Sequence, residues 1–102
     1  MVLAEFAMFP TDKGESVSEY VSQVIDTIDK SGITYQLTPM GTILEGSWDE
    51  VMGVITQCFK VLEPQASRIS TAVKVDYRAG DKSRMTSKID KIQSVLGRDV
   101  KH

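Results

Sequence analysis

The chain has 102 residues, 41% hydrophobic and 25% charged, which is the composition of one ordinary globular domain. Twelve Lys and Arg stand against fourteen Asp and Glu, a net charge of −2. Nucleic-acid binding, which is dominated by phosphate contacts, calls for a basic excess that is missing here. The single cysteine excludes an internal disulfide framework and a multi-cysteine metal centre, and the single histidine, His102, stands at the last position, so histidine-based catalysis is not expected.

No apolar run approaches the ~18 residues a membrane-spanning helix requires. The opening MVLAEFAMFP lacks a basic leader region and contains Glu5, so it reads as a strand and not a signal peptide. A cytoplasmic protein without a membrane partner is expected.

Residues 2–9 alternate two largely apolar faces, Val2, Ala4, Phe6 and Met8 on one and Leu3, Glu5, Ala7 and Phe9 on the other, as a central strand covered on both sides would. After the loop TDKGE, Ser16 and Glu19 have the spacing of a capping box. Val17, Tyr20, Val21, Val24, Ile25 and Ile28 then recur at helical spacing up to Gly32, a candidate left-handed cap. Residues 33–38 and 42–46 read as strands joined through Pro39-Met40-Gly41, and the short connection predicts an antiparallel hairpin. A second capping box, Ser47 with Glu50, opens a helix whose stripe is Trp48, Val51, Met52, Ile55, Cys58, Phe59 and Leu62, with Trp48 as a core anchor; Pro64 stops it. Residues 68–78 alternate again. A loop through Gly80 leads to a third helix with the narrow stripe Met85, Ile89, Ile92 and Leu96, ended by Gly97.

The order β-α-β-β-α-β plus a C-terminal helix is the ferredoxin-like α+β sandwich: one domain over residues 1–102, with two helices on one face of a four-stranded antiparallel sheet. The other face collects Leu3, Glu5, Ala7 and Phe9 with Lys74, Asp76 and Arg78, and either Thr42 with Leu44 or Ile43 with Glu45. An apolar floor with a few charges is what an interface between copies, or a ligand pocket beside one, looks like.

Phosphate-binding glycine loops and the GxSxG elbow are absent from the sequence. Cys58 lies on an apolar stripe, where nothing would lower its pKa, so it reads as structural. Strand three carries no aromatic residue, which disfavours RNA binding on the sheet. No catalytic residue, cofactor or metal site is expected. Asp76 or Glu45 as a base would want a second catalytic group, and none stands at a defined spacing.

TPMGTILEG at 38–46 is the most distinctive segment. With FPTDKGESVSEYV at 9–21, YQLT at 35–38, WDEVM at 48–52 and RISTAVKVDYR at 68–78, it resembles the family of small thiamine-binding-like proteins over nearly the whole chain. The resemblance implies a ferredoxin-like fold, a homodimer or homotetramer built through sheets and C-terminal helices, no firm catalytic activity, and in some members binding of thiamine or its hydroxymethylpyrimidine part. A site for a cationic thiazolium joined to a flat aminopyrimidine wants a carboxylate, hydrogen-bonding groups and a soft apolar surface. Glu5, Glu45 and Asp76 are the candidate carboxylates. Ser18, Thr38 and Thr42 offer hydroxyls, Met40 a soft surface, and Gly41 close backbone approach. Each has a plainer reading too: Glu45 and Lys74 as an ion pair across an interface, Ser16 as a cap, Tyr20 as core. The expected function is non-catalytic binding of thiamine or a related pyrimidine by a homo-oligomer; the alternative is an oligomeric scaffold or interaction module without a small ligand.

Overall fold

In a computed structural model, residues 1–85 and 87–102 are described. Strands β1 (Val2–Pro10), β2 (Thr34–Thr38), β3 (Gly41–Gly46) and β4 (Ile69–Tyr77) form one sheet in the order β2-β3-β1-β4, every neighbouring pair antiparallel. Helices α1 (Val17–Ser31) and α2 (Trp48–Leu62) cover one face, and α3 (Ser87–Leu96) follows β4. This is the expected α+β sandwich.

The alternation along β1 builds the core directly. Val2, Ala4, Phe6 and Met8 are buried, and they meet Leu44 of β3, Val24 and Ile28 of α1, and Val51, Val54, Cys58 and Leu62 of α2. Fully burying Phe6, Ile28, Leu44 or Leu62 contributes roughly 1.5–3 kcal/mol apiece. The pairing Phe6 to Thr42 and Ala4 to Leu44 settles the register of β3: Thr42 and Leu44 face the helices, so Ile43 and Glu45 join the open face. The helices lie over β1 and β3 and leave β4 largely uncovered, so Val73 and Tyr77 stay exposed although they point to the helix side.

Two helix starts differ. Ser47 accepts from the Glu50 N–H while the Glu50 carboxylate accepts from the Ser47 N–H, a complete capping box. Ser16 makes no side-chain cap: a 3-10 turn over Gly14–Ser16 precedes α1, and at φ −83, ψ 17 Ser16 lacks the extended backbone that aims a capping hydroxyl at the helix. Gly32, at φ 79, ends α1 as the left-handed cap expected of it. Trp48 does not anchor the core: as the first residue of α2 it is 56% exposed, and Val54 takes a place on the buried stripe.

Helix α3 buries no residue completely. Its presence makes the chain elongated, 48 × 29 × 21 Å with a radius of gyration of 15.3 Å, against ~13 Å for a globule of this length. What ties it to the sheet is a strap over 78–85, and that strap shapes the candidate site.

Candidate functional site

On the open face the strands place side chains in rows across the sheet. Thr34, Glu45, Leu3 and Asp76 make one row; Gln36, Ile43, Glu5 and Lys74 make the next. Further along β1 the face continues through Ala7, beside Ala72, to Phe9, beside Ser70. The floor is therefore apolar down the β1–β3 seam, with three carboxylates set into it.

Two of those carboxylates are engaged. Glu45 is only 6% exposed. One of its oxygens accepts from the Ser83 hydroxyl and the other from the Arg84 backbone N–H, each at 2.6 Å. Asp76 accepts from Arg84 Nη1 and lies 3.8 Å from Arg78 Nε. The second guanidinium arm of Arg84 donates to the carbonyls of Asp76, at 3.0 Å, and Met1, at 3.2 Å. The Arg84 side chain is left only 11% exposed by these contacts. Together they hold the strap flat against the Leu3 end of the face. Glu5 differs: it is exposed, and among the described residues it makes no hydrogen bond or ion pair, although Lys74 is its cross-strand neighbour.

The remaining nominated residues scatter. Thr42 is 2% exposed on the helix side of the sheet, so it cannot line the open face. Ser18 is exposed in the first turn of α1, in the helix layer. Thr38 builds the hairpin turn: its hydroxyl donates to the Gly41 carbonyl at 2.8 Å and accepts from the Met40 N–H at 3.3 Å. Met40 stands at the tip of that turn, 86% exposed. Gly41 has a reason of its own to be glycine, since at φ +150 a Cβ there would lie 2.9 Å from the Phe6 carbonyl oxygen. The turn belongs to the far end of the face, opposite the end held by Glu45 and Asp76.

Between α3, the strap and the Leu3 end of the sheet lies an open groove of about 940 Å3. Leu3, Ile92, Val95 and Leu96 supply its apolar lining. Its polar lining is basic, with Lys88 and Lys91 of α3 beside Lys82 and the two arginines that hold Asp76. Sequence patterning marked α3 only by its apolar stripe. The signal present was the placement of Lys88 and Lys91 three residues apart, hence on one helix face, flanking Ile92.

Chemistry on the helix side is limited. Cys58 is buried with its thiol directed at the Val24 carbonyl, 3.7 Å away, and burial pushes its pKa up to about 11. Among the described residues no group of three His, Cys, Asp or Glu is placed to hold a metal ion, and no helix is long and apolar enough to cross a membrane.

The sequence profile of the thiamine-binding protein family matches residues 4–93. The chain belongs to that family. Its relatives include UPF0045 protein Mb1933 of Mycobacterium bovis, 36% identical over 96 residues, covering 93% of this chain and 94% of the relative. UPF0045 protein MJ1052 of Methanocaldococcus jannaschii is 30% identical, and its crystal structure superposes with a TM-score of 0.80 over 89% of this chain and 94% of that one. A Thermotoga maritima protein, provisionally assigned to thiamine biosynthesis or salvage, is 25% identical with a TM-score of 0.78, over 89% of this chain and 97% of that one. The family and the fold that TPMGTILEG and the element order pointed to are thus those of this chain.

Proposed function

We propose that the chain is a non-catalytic binding protein for thiamine or its hydroxymethylpyrimidine part, working as a homo-oligomer. The family description supplies the ligand class, and Glu5 is the observation that carries the site. It is an uncommitted carboxylate on an apolar floor of Leu3, Ala7, Phe9 and Ile43, with Gln36 in its row as a hydrogen-bonding neighbour. A flat aminopyrimidine lying on that floor would donate its amino hydrogens to Glu5, and the same carboxylate would balance the thiazolium. Glu45 and Asp76 are less suited to this work, because strap donors already use their oxygens.

Two features favour association with a second copy of the chain. The seam sets Leu3, Ala7, Phe9 and Ile43, none of them buried, on one face of the sheet, and a contiguous apolar patch of that kind marks an interaction surface. Among the described residues strand β4, nine residues long, pairs with β1 alone, so its outer edge is open to pairing with another strand. Non-catalytic action agrees with the buried Cys58 thiol and with carboxylates held by arginine and serine.

The test is calorimetric titration of thiamine and of hydroxymethylpyrimidine, with native mass spectrometry for the oligomer. Binding is expected to raise Tm. Glu5→Gln is expected to weaken binding about tenfold, the loss of one charge-assisted hydrogen bond, with Tm of the free protein unchanged. No heat and no Tm shift at millimolar concentrations of either compound would refute the ligand assignment and favour the scaffold reading, which the exposed Val95 and Leu96 of α3 would serve.

A further inference from the structure

The groove beneath α3 has the opposite charge to the one a thiamine cation requires. It gathers five of the chain's twelve cationic side chains and one of its fourteen carboxylates, Asp76. That one carboxylate is already paired with Arg84 and Arg78. The remaining seven cations share the rest of the chain with thirteen carboxylates, so the basic character is concentrated in this groove. A chain that is net acidic outside the groove disfavours a long polyanion such as a nucleic acid more than a compact anion.

Lys82, Lys88 and Lys91 are exposed, and among the described residues none of them makes an ion pair. Lys88 and Lys91 stand three residues apart, so their ammonium groups repel each other unless an anion lies between them. The groove's other wall is apolar, Ile92, Val95 and Leu96 with Leu3. Leu3 also connects the two regions. It lines the groove and lies two residues from Glu5 on the same face of β1, roughly 7 Å along the strand. A ligand with its ring system on the Glu5 floor could therefore extend an anionic arm past Leu3 to the lysines.

From this juxtaposition we infer that the groove is a phosphate-ester subsite: Lys88 and Lys91, with Lys82, take the phosphate of a phosphorylated form of the ligand whose heterocyclic body lies at Glu5. The inference rests on the proposed function for the body of the ligand, and on the groove for its phosphate. It also resolves the charge mismatch, since a thiamine phosphate carries its anion on a short two-carbon arm beyond the cationic ring.

The experiment compares thiamine, thiamine monophosphate and phenyl phosphate by calorimetric titration at about 50 mM salt, where charge contacts are weakly screened. The native protein and a Lys88→Gln/Lys91→Gln variant are both used. These lysines are exposed, and circular dichroism checks that the variant keeps its helices. Thiamine monophosphate is expected to bind about tenfold tighter than thiamine. The double variant should lose that advantage while its thiamine affinity stays the same. If thiamine binds but its phosphate gains nothing, or the gain survives in the variant, the phosphate subsite is refuted and the proposed function stands. If thiamine does not bind but phenyl phosphate binds in a lysine-dependent way, the groove assignment stands and the thiamine reading falls. If none of the three binds, both are refuted.

Discussion

Glu45→Ala removes one of the two anchors that fasten α3 to the sheet, the other being the Arg84 contacts with Asp76 and Met1. The native carboxylate accepts two hydrogen bonds of 2.6 Å, from the Ser83 hydroxyl and the Arg84 N–H. Hydrogen bonds to a charged group contribute about 1.5–3 kcal/mol each. The upper end does not apply twice, because a freed strap moves into water, where Ser83 and Arg84 find new partners. About 3 kcal/mol for the pair is therefore the expected loss. That loss should be local. The core of Val2, Ala4, Phe6, Leu44 and the two large helices makes no use of the strap, and α3 contributes no fully buried residue to it. Hydrogen exchange reads the two regions separately. In the variant, amides of α3 should open about 100-fold more often, the factor that ~3 kcal/mol implies, while amides of β1 keep their protection. Loss of protection spread equally over β1 and α3 would show that Glu45 supports the sheet itself. Unchanged α3 amides would show that the Arg84 contacts with Asp76 and Met1 hold the strap without Glu45. Glu45→Gln should be milder, since its carbonyl can still accept from Arg84 and its amide can donate to the Ser83 oxygen.

One further substitution and one labelling experiment test other parts of the structure. Gly41→Ala places a Cβ 2.9 Å from the Phe6 carbonyl oxygen at a φ of +150, and should cost about 1–3 kcal/mol of stability by denaturant unfolding; a neutral result would mean that the β1–β3 seam yields there. Cys58, with its pKa pushed up to about 11 by burial, should react with a thiol reagent at pH 8 only after unfolding, and prompt labelling of the native protein would contradict the packing of α1 on α2.

Much of the fold was legible in the sequence because it is written in local periodicity. Two-residue alternation in VLAEFAMF marks a central strand, and the 3.6-residue recurrence from Val17 to Ile28 marks a helix. Ser47 with Glu50 sets a helix start, and Gly32 a helix end. The Ser16 box failed where the same pattern was read without its backbone: capping needs an extended residue, and a 3-10 turn had already bent Ser16 away from that conformation.

The site was less legible, for a different reason. Periodicity says which residues of one strand share a face, but it cannot say which face of β3 meets which face of β1. That choice rests on pairing across the sheet, and it sent Thr42 into the core and Glu45 to the open side. Nor could the sequence show that Glu45 and Asp76, candidate ligand groups by type, would be used by residues 38 and 8 positions further along the chain. A carboxylate is available to a ligand only if the fold leaves its oxygens without donors. The sequence by itself determined the elements and their order, and its TPMGTILEG segment carried the family resemblance; the tertiary structure decided which charges remain free, Glu5 on the floor and three lysines in the groove, because that depends on which distant groups folding brings within hydrogen-bond reach.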